Sequence, residues 1–159
     1  MLKFLQWNIA GARTKMASLI SSVKTENYDI IILQETLFTH PKNITGYKTF
    51  FTPATQGRRG LAIYCKDFIP AIQLQRPIPC GNVECMAIQI TLQNTKLDIY
   101  NIYRRPAREN MLQLGQLFAH MSAQPTLVAG DFNAHHRVLN SIARTCQNGL
   151  HIAHLLEEK

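Results

Sequence analysis

Residues 29 to 35, DIIILQE, constrain the fold more than any other stretch. Three isoleucines and a leucine stand in a row, whereas a strand with one wet face would alternate apolar with polar residues. A continuous apolar run of strand length is buried on both sides, so this strand belongs to a sheet covered front and back. Upstream, LKFLQWN (2–8) alternates, with Leu2, Phe4 and Gln6 on one face and Lys3, Leu5 and Trp7 on the other. Between the two, Met16, Leu19, Ile20 and Val23 recur at helical spacing behind Thr14, a candidate N-cap, and predict an amphipathic helix.

Six more stretches read as strands separated by Pro, Gly and Asn: GYKTFF (46–51), GLAIYC (60–65), AIQLQ (71–75), ECMAIQITL (84–92), KLDIYNIY (96–103) and PTLVAGDF (125–132). Met111, Leu114, Leu117, Phe118 and Met121 mark a second helix, and LHIAHLLEE after Asn148-Gly149 begins a third. Strands outnumber helices and are not interleaved with them one to one. The expected class is therefore α/β (α+β), two packed β-sheets flanked by helices rather than one doubly wound sheet. A chain of 159 residues suits a single domain, which buries about 70% of its unfolded surface. No repeat, linker or low-complexity tract divides it.

Charge narrows the partners. Lys plus Arg number 17 against 10 Asp plus Glu, a formal net charge of +7, which favours polyanions. Basic residues cluster in GRRG (57–60), with Arg58 and Arg59, and in RRPAR (104–108), with Arg104 and Arg105. The second cluster directly follows Tyr103, where arginines can grip DNA phosphates without reading sequence, although a solvated loop accounts for it equally well. The start MLKFLQWN has no signal-peptide core, and no run of 18 apolar residues occurs. The expectation is a nuclear or cytoplasmic protein, neither secreted nor membrane-bound. Cys65, Cys80, Cys85 and Cys146 form no CxxC pair and read as reduced thiols. The sequon Asn43-Ile44-Thr45 then reads as a plain loop.

Polar residues that end apolar strands are held rigidly at the rim of a cleft. Four places qualify: Asn8, Glu35, Tyr103, and Asp131 with Asn133. Each alone has an ordinary account, as a turn-former, a loop acid, a half-buried aromatic or an Asx-turn residue. Together they offer hard oxygen ligands suited to Mg²⁺, with a second acid to orient or deprotonate a water. His135 and His136 read as structural loop residues, and His151 with His154 as one solvated helix face.

The ordered set QWNIAG, DIIILQET, RRGLAIYC, LDIYNIYRRP and LVAGDFNAHH resembles the endonuclease/exonuclease/phosphatase superfamily, related to exonuclease III and DNase I. It is most similar to the endonuclease domains of non-LTR retrotransposons. The resemblance spans nearly the whole chain, and GDFNAHH with NIYRRP is its most specific part. It implies a four-layer DNase I-like sandwich and a Mg²⁺-dependent phosphodiesterase, with Mn²⁺ as a substitute ion, that nicks double-stranded DNA to prime reverse transcription. By matching motifs, Glu35 binds the metal and Asn8 helps to hold metal or phosphate. Tyr103 contacts the scissile phosphate, Asp131 positions or deprotonates the water, and Asn133 orients nucleophile and phosphate.

It further implies a late Ser-Asp-His-type motif that these 159 residues do not include. The expectation is that residues 1–159 form the N-terminal portion of such a domain, part of a longer polyprotein with a reverse transcriptase. Open sheet edges and weak or no activity by this chain itself follow from that expectation. Two alternatives stay open at this point: a phosphatase or phosphodiesterase of the same superfamily, and a catalytically dead DNA-binding remnant of a mobile element.

Overall fold

The computed structural model describes residues 1–75, 83–106 and 124–157. Two four-stranded sheets face each other. The first contains β1 (Phe4–Asn8), β2 (Ile30–Gln34), β3 (Tyr47–Thr52) and β4 (Leu61–Lys66), in the order β1-β2-β4-β3. The second contains β5 (Ala71–Leu74), β6 (Val83–Leu92), β7 (Thr95–Arg104) and β8 (Thr126–Asp131), in chain order. Both sheets are mixed: β1 runs parallel to β2 and β7 parallel to β8, while the remaining pairs are antiparallel. All eight stretches with strand character become strands.

The period of two decides which residues meet. Ile30 and Ile32 face the second sheet, joining Leu61, Ile63, Met86, Ile88, Ile90, Ile99 and Tyr103 in the core between the sheets. Ile31 and Leu33 point the other way, against Leu19 and Val23 of α1 (Met16–Glu26). The run that looked doubly buried in sequence is fully buried along its length, because sheet covers one face and helix the other. Outside the second sheet, Ala87, Tyr100 and Ile102 pack with Ile152 and Leu155 of α2 (Gln147–Glu157). The architecture is thus helix, sheet, sheet, helix. Burying Leu19 and Val23 contributes about 2 kcal/mol each to the outer layer.

Two helix boundaries differ from expectation. Thr14 falls in a 3-10 turn (Ala12–Thr14), and α1 starts after Lys15 with no side chain capping it. Lys15 Nζ instead reaches the carbonyl of Ile9 at 2.6 Å, tying the helix entrance to the end of β1. The last helix begins at Gln147, so Asn148-Gly149 lies inside its first turn rather than before it. Gly149 is required there by close approach: a Cβ on it would sit 1.9 Å from the carbonyl oxygen of His135. The helix foreseen around Met111–Met121 lies outside the described residues. Among the described residues no helix is long and apolar enough to cross a membrane.

Candidate active site

The parallel pairings gather the polar strand ends. Asn8 pairs with Gln34 in register, and Tyr103 with Asp131. The C-terminal ends of β1, β2, β7 and β8 therefore lie at one end of the sandwich, and Gln6, Asn8, Gln34, Asn101, Tyr103 and Asp131 belong to rows that face inward. β4 and β6 run the opposite way, so their N-terminal ends arrive at the same place: Leu61 lies opposite Gln34, and Glu84 opposite Tyr103. The core between the sheets is apolar along most of its depth, and at this end it meets a cluster of polar side chains.

Asn8 is the hub. Its Nδ2 donates to Glu35 Oε1 at 2.9 Å and to Asp131 Oδ2 at 2.6 Å, bringing together two acids 96 residues apart in sequence. Its Oδ1 accepts the Ala10 amide at 3.1 Å, which fixes the orientation of the carboxamide. The other oxygen of Glu35, Oε2, takes Arg59 Nε at 2.9 Å and Nη2 at 2.8 Å. Burial pushes the Glu35 carboxyl up, but hydrogen bonds from Asn8, Tyr103 and Arg59, with the charge of Arg59, outweigh it and hold it below the usual carboxylate range. Tyr103 is pushed up to about 12, first by burial and then by its hydrogen bond to Glu35. It is a neutral donor throughout the ordinary pH range.

Strand geometry does not persist from Asp131 to Asn133. β8 ends at Asp131, and Asn133 adopts the left-handed region at φ 44°. The Asn133 amide N–H turns back to Asp131 Oδ1 at 3.0 Å, an Asx turn, and its Nδ2 donates to the Arg104 carbonyl at 2.6 Å. Asn133 thus meets Asp131 through a turn rather than by standing two residues along the same strand face. Gly130, just before, allows β8 to press onto β7, since a Cβ there would lie 1.9 Å from the Ile102 carbonyl oxygen.

The four arginines separate. Arg58 is exposed and Arg59 half-exposed beside Glu35. Arg105 is half-buried. Arg104 is only 1% exposed, and its Nη1 lies 3.4 Å from the Asn133 carbonyl. It backs the Asp131–Asn133 turn and does not present its charge to the surface. His135 is exposed, and its backbone N–H and carbonyl bond Cys146 at the entrance to α2. His136 Nδ1 accepts the Val138 amide at 3.2 Å, so both histidines shape the loop.

Sequence reasoning overlooked Glu84 and the glutamine–asparagine chain beneath the site. Glu84 is 9% exposed and accepts the backbone N–H groups of Arg59 at 2.6 Å and Gly60 at 2.9 Å. Gln6 Nε2 donates to Gln34 Oε1, Gln34 Nε2 to Asn101 Oδ1 at 2.7 Å, and Asn101 Nδ2 to the carbonyls of Leu33 at 2.9 Å and Ala62 at 3.1 Å. A signal did exist: Glu84, Gln34 and Asn101 each interrupt an apolar row at a position whose period points it inward.

Asn8, Glu35 and Asp131 offer only oxygen and amide groups around one point, with two carboxylates bonded to a single amide nitrogen. No group of three or more His, Cys, Asp or Glu able to hold a metal occurs among the described residues. A set of one or two carboxylates completed by water fits Mg²⁺ or Mn²⁺, and lacks the His and Cys ligands typical of Zn²⁺. Beside Asn8, Asp131 and Asn133 opens a cleft of about 660 Å³ walled by apolar side chains including Trp7, Phe132 and Leu156.

Residues 5–151 match the model of the endonuclease/exonuclease/phosphatase family. No curated protein matches the sequence. Among solved structures, the chain is similar to the endonuclease domain of TRAS1, a telomere-specific non-LTR retrotransposon, with a TM-score of 0.78 at 21% identity over 99% of this chain and 71% of that one. A humanized D. rerio TDP2 gives 0.64 at 17% identity, covering 92% of this chain and 68% of that one. The AP endonuclease LMAP from Leishmania major gives 0.58 at 19% identity, over 86% of this chain and 56% of that one. At these identities the likenesses establish the four-layer sandwich foreseen from the motifs.

Proposed function

The chain belongs to the endonuclease/exonuclease/phosphatase family, whose members hydrolyse phosphodiester and related phosphate bonds, and on that premise we propose that it is a Mg²⁺-dependent endonuclease that nicks double-stranded DNA. The observation that carries this reading is the Asn8 amide held between Glu35 and Asp131 at 2.9 and 2.6 Å. It brings the two carboxylates to one amide nitrogen, which supports a metal-holding role for Glu35 and a water-activating role for Asp131. The net charge of +7 favours a polyanion over a small phosphomonoester or a lipid headgroup.

In this reading Glu35, assisted by Asn8, would hold Mg²⁺ or Mn²⁺, which when bound would supply Lewis-acid stabilisation of the charge gathering at phosphorus. Asp131 orients a water and accepts its proton, since its two oxygens retain acceptor capacity beyond the bonds from Asn8 and Asn133. Asn133 fixes the direction of Asp131 through the Asx turn. Tyr103, protonated at working pH, donates to a non-bridging oxygen once substrate competes with Glu35 for its hydroxyl. Arg58, at the rim of the same end, grips flanking phosphates, and Arg105 extends that surface; Arg59, bonded to Glu35, stands at the site itself, and Arg104 supports the turn from behind. The biological setting is that of a retrotransposon endonuclease, working in nucleus or cytoplasm within a polyprotein that also carries a reverse transcriptase.

The test is nicking of supercoiled plasmid with Mg²⁺ or chelator, using this chain, its Asp131→Asn variant, and a version extended by a late Asp-His motif. The expected result is slow Mg²⁺-dependent nicking, lost in Asp131→Asn and raised about 10²-fold by a further donor to the phosphate. Nicking that persists in chelator, or that Asp131→Asn leaves intact, overturns the reading. Salt-sensitive DNA binding with no cleavage by either wild-type form favours a DNA-binding remnant instead.

A further inference from the structure

We infer that Arg59 is a stand-in cation: its guanidinium occupies Oε2 of Glu35, would yield that oxygen to a divalent ion, and would then reach a non-bridging oxygen of the scissile phosphate. The inference rests on the metal-dependent reading above and assigns to one arginine a role that joins the two ligands.

Three observations support it. First, the two oxygens of Glu35 are divided. Oε1 takes Asn8 at 2.9 Å, and Oε2 takes two nitrogens of Arg59, at 2.9 and 2.8 Å. A cation that uses Oε2 must displace the guanidinium, because ammonium-like and metal charges cannot share one oxygen lone-pair region at close range. Second, the Glu35 side chain is 12% exposed while that of Arg59 is 44% exposed. The carboxylate is largely shielded from water, whereas the arginine side chain has open space into which it can swing.

Third, the backbone that carries Arg59 is clamped from two directions. Glu84 accepts the N–H groups of Arg59 and Gly60, and the carbonyls of the same two residues accept the Leu37 and Thr36 amides at 2.9 and 3.1 Å. Gly60 stands at φ 82°, and a Cβ on it would meet Thr36 Oγ1 at 2.9 Å. Residues 59–60 are therefore fastened to the segment that follows Glu35, so exchange is confined to rotation of the Arg59 side chain. The guanidinium stays within a few ångströms of the reacting centre, where its planar donor set matches a phosphate.

The exchange predicts opposite effects on two measurements. Calorimetric titration of the full chain with Mn²⁺ alone compares wild type, Arg59→Gln, Arg59→Lys and Glu35→Gln, with circular dichroism verifying that each is folded. Removing the competing guanidinium strengthens Mn²⁺ binding about five-fold in Arg59→Gln, the scale of one released surface ion pair. Arg59→Lys, which keeps a charge but loses the two-nitrogen grip on Oε2, falls between. Plasmid nicking by Arg59→Gln falls about ten-fold or more at saturating Mn²⁺, since the phosphate loses a donor. Weaker or unchanged Mn²⁺ binding in Arg59→Gln, while Glu35→Gln abolishes binding, overturns the exchange and leaves the metal site standing. Equal Mn²⁺ binding by wild type and Glu35→Gln overturns the metal site, and the exchange with it.

Discussion

Asn133 combines a backbone and a side-chain requirement at one position. Its left-handed φ of 44° is open to asparagine at small cost, whereas alanine there costs about 1–2 kcal/mol. Its amide also satisfies the Arg104 carbonyl. Asn133→Gly keeps the conformation and loses the side-chain bond, while Asn133→Ala loses both. Urea melts are expected to rank wild type above the glycine variant and glycine above alanine, with nicking reduced in both because the Asp131 carboxylate loses its fixed turn. Equal stability of the two variants would show that backbone conformation is not what selects the residue. Glu35, at φ 52°, is a second candidate residue in this region, so two of the candidate site side chains are aimed by local backbone strain that surrounding structure maintains.

At the scale of elements, Glu84 holds a loop through backbone rather than through charge pairing. Its two oxygens receive two adjacent N–H groups, and glutamine offers only one acceptor oxygen. Glu84→Gln is expected to cost about 1–3 kcal/mol, the penalty of leaving a buried donor facing another donor. Hydrogen exchange should speed at the Arg59 and Gly60 amides while staying slow in the centre of β6. Uniformly faster exchange across β6 would mean that Glu84 supports the sheet and not the loop. The elements that define the site are thus of two kinds: parallel strand ends that bring the acids, and the entrances of antiparallel strands that bring Arg59 and its anchor.

For the molecule as a whole, Asn101 is a fully buried polar link between the sheets, contacting β2 and β4 from β7. Asn101→Leu removes a partner from three polar groups in a fully buried place and is expected to cost about 2–4 kcal/mol in chemical melts. A cost near zero would mean that apolar packing alone sets the sheet spacing there. Alkaline pH tests the core directly. Burial pushes Cys65 from 9.0 up to about 11 and Tyr64 from 10.0 up to about 12. In the unfolded chain these groups ionise first, so between pH 9 and 12 the folded state binds more protons and stability falls as pH rises. Urea midpoints should drop across that window, and less steeply in Tyr64→Phe; an unchanged slope would assign the loss to other groups.

How much was legible follows from the range of each interaction. Period and run length are local, so the eight strands, the doubly buried β2 and the helix over Met16, Leu19 and Val23 could be read before any contact was known. The residues that end those strands were legible for the same reason, because Asn8, Glu35, Tyr103 and Asp131 interrupt patterns that a single segment displays. Helix entrances escaped, since Lys15 and Gly149 are placed by Ile9 and His135, partners outside their own helices. The sequence by itself determined which segments become strands and which polar groups they end in. Only the tertiary structure decided that Asn8 bridges Glu35 to Asp131, that Arg104 turns inward while Arg59 turns to Glu35, and that Glu84 holds a loop. Each of these depends on pairing between segments far apart in the chain, which strand register and packing create and no local pattern contains.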